Sequence, residues 1–291
     1  MKLTVITILT TCMAIASAQL PDVIVSVDAR PTFLLGDGRN SQLRWFDAYG
    51  NPSLVGFKAR LENGNRITVT QRLAKQLSDG DPDLTDEFYL EAPGEWRFGK
   101  QVLPFGQKKL LRETALAFKL RTNLAFEEAP LEIAVVDAGK GRQRGVTGRI
   151  GSNSGISFAF GEHFGIQDSA FSILRQDLGG LGRSRGYRTI IGADSQIFAY
   201  PLTFESEIIA LRQGHTPLDS DSTYTDIRAI YQFPNGRDKF SLAWAREWNE
   251  AINSFRLDGE FVLAPQVVLM PHLRFGSSGL NQFGTSIRLR L

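Results

Sequence analysis

Three histidines, His163, His215 and His272, are the first side chains to test for chemistry. A hydrolase of the kind that carries its His and Ser on one face of a single strand needs the Ser two residues after the His, because side chains two apart project from one face. The residues at that spacing are Gly165, Pro217 and Arg274. A protease of the paired-aspartate type needs Asp two residues before its His, and Gly161, Gln213 and Met270 stand there. Both chemistries fail on spacing, so His163 and His215 read as loop residues and His272 as a polar strand residue. Asp79, Asp81 and Asp83 alternate as calcium ligands can, but Pro82 interrupts them and no further ligand run follows. They read as a solvated acidic loop. Residues 139–145 (GKGRQRG) and 182–188 (GRSRGYR) have the composition of phosphate cradles, yet neither opens a helical pattern, and both read as basic loops. The single Cys, Cys12, excludes a cysteine-based zinc cluster and a disulfide framework. No catalytic residue, metal ligand, cofactor or nucleic-acid partner is assigned, and the chain is not read as an enzyme.

What the sequence does supply is charge at every second position. Val55, Phe57, Ala59 and Leu61 interleave with Gly56, Lys58, Arg60 and Glu62. Phe255, Leu257, Gly259, Phe261 and Leu263 interleave with Arg256, Asp258, Glu260 and Val262. The last residues set Phe283, Thr285, Ile287, Leu289 and Leu291 against Gly284, Ser286, Arg288 and Arg290. A period of two is the strand signature, and a membrane-spanning strand needs only about 9–11 residues with alternate ones apolar. Short breaks, such as Asn63-Gly64-Asn65, Pro93-Gly94 and Pro234-Asn235-Gly236, alternate along the chain with longer polar ones, such as Ser78 to Thr85, Leu103 to Leu111 and Glu162 to Gly186. An up-and-down barrel with tight turns at one end and long loops at the other has this pattern.

Fifteen strand candidates follow Leu54, and a further one near Gln42 to Asp47, joined through Ala48 to Ser53, returns both termini to the short-turn end. The fold class is therefore all-β: a transmembrane antiparallel up-and-down β-barrel of about 16 strands, with 14 and 18 as alternatives. Residues 1–18 combine Met1-Lys2, an apolar stretch and Ala16-Ser17-Ala18, the layout of a cleaved signal peptide. Residues 19–40 form an N-terminal periplasmic extension or extra strands, and residues 41–291 the barrel. With 42% hydrophobic and 22% charged residues, and 33 Lys plus Arg against 31 Asp plus Glu, the 291-residue chain is neither a disordered polyelectrolyte nor a basic nucleic-acid binder. A soluble β-sandwich shares the alternation, but its length would call for a linker, and no Pro/Ser-rich linker is present.

The segment Glu87 to Phe118 reads EFYLEAPGEWRFGKQVLPFGQKKLLRETALAF. It resembles a hairpin of bacterial outer-membrane porins of the phosphate-selective O and P type, in which a strand ends in Gly-Arg/Lys-x-x-x-Pro-Phe-Gly. Gly99, Lys100, Pro104, Phe105 and Gly106 carry the match, over about a tenth of the chain; no phosphate-binding motif of that family accompanies it. Pro104 would end the ladder and Gly106 permit the turn into an outer loop. The alternating C-terminal strand resembles an insertion signal for the barrel assembly machinery, departing from it in ending on Leu291 rather than an aromatic residue. The porin resemblance implies a homotrimer in the cell outer membrane of a Gram-negative bacterium.

Taken together, these features describe a diffusion channel for small hydrophilic solutes or ions, with outer-membrane lipid around it and a weak anion preference. The residues expected to line the pore are Lys58, Arg60, Arg66, Arg72, Glu87, Glu91, Arg97, Lys119, Arg121, Arg149, Asp226, Arg228, Arg256, Asp258, Glu260, Arg274, Arg288 and Arg290. Glu162 to Gly186 is expected either to fold inward as the constriction loop, with Asp168, Arg175 and Asp177 near the eyelet, or to stay an outer loop that packs on a neighbouring subunit. Trp96, Trp244, Trp248, Tyr200, Tyr224 and Tyr231 are expected at strand ends or on the outward face. The competing reading is a non-conducting β-rich surface adhesin or periplasmic binding protein, which heat-modifiable mobility would separate from a barrel.

Overall fold

A computed structural model describes residues 23–35, 42–47, 51–74, 84–123, 129–139, 142–165, 186–213, 221–277 and 282–291. Its strands are β1 (Val23–Ala29), β2 (Thr32–Leu35), β3 (Gln42–Arg44), β4 (Leu54–Arg60), β5 (Arg66–Arg72), β6 (Thr85–Ala92), β7 (Trp96–Val102), β8 (Thr114–Asn123) and β9 (Pro130–Asp137). They continue with β10 (Arg144–Gly151), β11 (Ser154–Glu162), β12 (Tyr187–Ala199), β13 (Leu202–Gln213), β14 (Ser222–Gln232), β15 (Lys239–Glu247), β16 (Ile252–Ala264), β17 (Val267–Gly276) and β18 (Gln282–Arg290). Each pairs antiparallel with its sequence neighbours from β4 onward, and β18 returns to pair with β1 and β2, closing the sheet.

The labelled segments make sixteen staves. β1 and β2 run one after the other along β18, through Asp28↔Arg290 and then Thr32↔Ser286. The break between them falls at Arg30-Pro31, where proline has no N–H to give the ladder. β3 pairs with β2 and β4 with β1, so these two also form one stave, interrupted by an excursion over residues 45–53. The number of staves matches the sequence reading, but the route differs. Gln42 to Asp47 is the upper part of the β4 stave and not a strand of its own. Val23 to Leu35, within the segment read as a periplasmic extension or extra strands, supplies the first stave, as the second of those readings has it. At the break the Ser53 hydroxyl accepts the Arg30 N–H at 2.7 Å, replacing a missing ladder partner.

The side chains are distributed inside out. Phe88, Phe98, Leu120, Val135, Ile156 and Phe160 are exposed on the outer face, whereas Arg188 and Arg256 on the inner face are almost completely covered. In water each such outer residue would forfeit roughly 1.5–3 kcal/mol of burial, so this outer face suits an apolar surrounding. Tyr224 departs from the expected interfacial placement: it faces inward and is 2% exposed, because its register with Ile209 and Glu247 puts it on the inner face.

Candidate functional site

The inner wall of β8 to β13 is built from small and apolar residues: Ala115, Ala117, Ala134, Ala159, Ile190 and Ile209 are all buried. Strands with apolar residues on both faces need a second apolar layer inside the barrel. Leu103 to Glu113, the connection between β7 and β8, supplies it. Leu103, Phe105, Leu110 and Leu111 join that wall in one buried cluster. The Phe105 ring fits only because Gly192 has no side chain there. The expectation that Leu103 to Leu111 is an outer loop is thus corrected: four apolar side chains in these nine residues take it into the lumen.

Polar latches fix the loop at intervals. The Glu207 Oε2 of β13 accepts the N–H groups of Lys109 at 2.8 Å and Leu110 at 3.0 Å. Ser157 Oγ accepts the Gly106 N–H at 2.9 Å, Thr147 Oγ1 donates to the Pro104 carbonyl at 3.2 Å, and Lys109 Nζ lies 2.9 Å from Glu205. Glu113 closes the loop, taking Gln143 Nε2 at 3.1 Å and the Gly165 N–H at 2.8 Å on one oxygen. It thereby joins three of the long connections. Gly106 has φ +48°, and a Cβ there would overlap the Glu207 carboxylate. Gly106→Ala is expected to displace that latch and lower stability by about 1–3 kcal/mol, read from the temperature at which the folded band is lost in heat-modifiable electrophoresis.

On the opposite side of the loop, Asp86 holds Arg112 at 2.8 Å and Arg72 at 2.9 Å. Burial works against the Arg112 charge, but Asp86 more than offsets it and keeps the guanidinium pKa above its ordinary value. A second network, Arg288–Asp28–Arg30–Asp47, links the last stave, the first stave and the excursion. Asp47 is buried and also accepts from Asn51, so the ion pair with Arg30 holds the excursion at Asp47 while Asn51 closes it on itself.

All the residues expected to line the pore lie at inner-face positions of the register or at the inward ends of their strands, and the structure sorts them by partner. Arg97 pairs with Glu91, Lys119 with Glu132, Arg149 with Asp194, and Arg256 with Asp226; Arg121 reaches Glu132 at 4.0 Å. Glu87 accepts the Val102 N–H at 3.1 Å. Asp258 stands opposite His272, and Arg274 beside them donates to Gln282. Lys58, Arg60 and Arg66 are exposed and have no ion pair among the described residues, as is true of Arg290 and Glu260. Arg228 lies in register with Glu205 and Ala243. Asp168, Arg175 and Asp177 lie outside the described residues. The residues leading to them do not: Phe164 is fully buried against the loop cluster, and its carbonyl accepts Arg188 Nη1 at 2.9 Å. Lys108, at the tip of the loop with φ +64°, is an exposed inner cation that the sequence reading missed.

No family model and no curated protein sequence matches the chain. Solved structures do match. The outer membrane channel DcaP of Acinetobacter baumannii superposes with a TM-score of 0.65 at 10% identity, over 93% of this chain and 97% of that one. OmpT of Vibrio cholerae, an outer membrane protein in trimer form, gives 0.61 at 9% identity over 93% and 99%. The anion-selective porin from Comamonas acidovorans gives 0.57 at 11% identity over 92% and 98%. The fold is that of bacterial outer-membrane porins.

Proposed function

We propose that the chain is an outer-membrane porin through which small hydrophilic solutes diffuse passively, with a weak preference for anions. The observation that carries this reading is the inside-out barrel of sixteen staves, with charged residues on its inner face and the loop Leu103 to Glu113 latched inside against the apolar part of that wall. Residues 1–18 are removed on export, and the long connections face outward. Association as a trimer is supported by the trimer form of the V. cholerae neighbour. The described start of the connection after β11 also turns inward: Phe164 is buried and the Gly165 N–H donates to Glu113.

The anion preference is supported by the cations left over after pairing. Lys58, Arg60, Arg66 and Lys108 are exposed on the inner side without ion pairs among the described residues. Arg60 and Arg66 are direct cross-strand partners, an arrangement of like charges that is unfavourable unless water or a mobile anion screens it. Reversal potentials measured across a salt gradient test this. The wild-type channel should favour anions slightly, and the double variant Arg60→Glu/Arg66→Glu should shift the potential toward cations. A wild-type channel that favours cations, or a double variant with an unchanged potential, contradicts the assignment.

A further inference from the structure

The outward face of β15 carries a cation that the pore does not use. Arg246 stands near the long-loop end, in register with Thr225 of β14 and Asn253 of β16. Its guanidinium lies over the Trp248 ring, 4.6 Å from the centroid. That ring is itself fixed, since Trp248 Nε1–H donates to Thr225 Oγ1 at 2.8 Å. Trp244 meets it edge-on at 6.2 Å and donates its own Nε1–H to Asn253 Oδ1 at 3.2 Å. Among the described residues no carboxylate pairs with Arg246, and its Nε has no acceptor. Other outward cations near that end differ: Arg144 pairs with Asp137 at 3.0 Å, and Arg212 lies 3.9 Å from Asp221.

The same row marks a chemical boundary. One step toward the short-turn end, the outward positions in register are Ile227, Trp244, Phe255 and Phe275, all apolar. One step the other way, Trp248 leads into the exposed Asn249 and Glu250. A planar cation at such a boundary, stacked on an aromatic ring and without an anion of its own, fits a ligand with a phosphate at one end and hydrocarbon at the other.

We propose that Arg246 and Trp248 bind the phosphate of a membrane lipid headgroup, that of a phosphorylated glycolipid in the leaflet facing the long loops. The acyl chains lie along the Ile227–Trp244–Phe255 band, which free phosphate would leave uncovered. This site rests on the reading of the chain as an outer-membrane barrel.

The test is native mass spectrometry of the detergent-solubilised protein with diphosphoryl lipid A as the probe. Folding of every variant is checked by heat-modifiable mobility and by channel conductance. The wild type should retain diphosphoryl lipid A in preference to its dephosphorylated form. Arg246→Gln should lower that retention about tenfold, which corresponds to about 1.4 kcal/mol of binding free energy. Arg246→Lys should keep part of it and Arg144→Gln all of it. Equal retention of the two lipid forms by the wild type overturns the site without recourse to any variant. So does full retention by folded Arg246→Gln, or displacement of the lipid by millimolar inorganic phosphate. A wild-type protein that shows no heat-modifiable band and no conductance overturns the porin reading and the lipid site with it. A conducting wild type that fails the lipid arms overturns the lipid site alone.

Discussion

Replacing Glu207 by alanine is expected to raise single-channel conductance and its open-channel noise. One carboxylate oxygen of Glu207 takes two consecutive backbone N–H groups of the inward loop, at Lys109 and Leu110. Hydrogen bonds to a charged acceptor contribute about 1.5–3 kcal/mol each, and water in the lumen recovers part of what the alanine variant loses. A net loss on the order of 3 kcal/mol would leave the loop held by its apolar side chains and by the other latches at Ser157, Thr147, Glu205 and Asp86. The loop then leaves the wall for part of the time, and the lumen widens. Glu207→Gln keeps a carbonyl oxygen able to accept from both N–H groups, so its conductance should fall between wild type and Glu207→Ala. Unchanged conductance and noise in Glu207→Ala would show that the remaining contacts suffice and that the carboxylate is not a latch.

The largest loss of stability is expected from Arg256→Ala. Arg256 and Asp226 form an ion pair on the inner wall of β16 and β14, with side-chain exposures of 1% and 2%. Removing one partner leaves the other charge without water or counter-charge, which typically costs about 3–5 kcal/mol. Loss of both charges with the volume kept is tolerated far better, so Arg256→Met/Asp226→Leu should lie within about 2 kcal/mol of the wild type. Denaturation midpoints of the three proteins in one detergent make the comparison. An Arg256→Ala midpoint equal to that of the wild type would mean that water reaches the pair, and that the wall at β14–β16 is wetter than its packing indicates.

The barrel was legible because its physics is periodic. A lipid-facing side chain at every second position forces charge onto the other set, and that parity places Arg60, Arg97, Arg149, Arg256 and Arg288 on one face without any knowledge of pairing. Two features escaped because they break the period. Pro31 interrupts the first stave, and the excursion over residues 45–53 interrupts the second, so neither reads as a full strand. The inward loop escaped because length and polar residues make Leu103 to Leu111 resemble any long outer connection. Its signal lies partly elsewhere, in Ile133 to Val136, where four consecutive apolar residues leave no polar face. Ala134 and Val136 point inward and are buried, which requires something apolar inside the barrel to meet them. Leu103, Phe105, Leu110 and Leu111 are the apolar residues available to do so. Which of the charged inner residues are spent on each other and which face water, as Lys58 and Lys108 do, depends on distances between strands and is invisible in a single chain.

Planar-bilayer recording of the purified, heat-modifiable protein tests the central claim most directly. A barrel with an aqueous lumen narrowed by Leu103 to Glu113 should give discrete conductance steps that scale with salt concentration. Folded protein that inserts into the bilayer and gives no steps would mean that the inner loop and wall charges close the lumen, and the porin reading would be wrong.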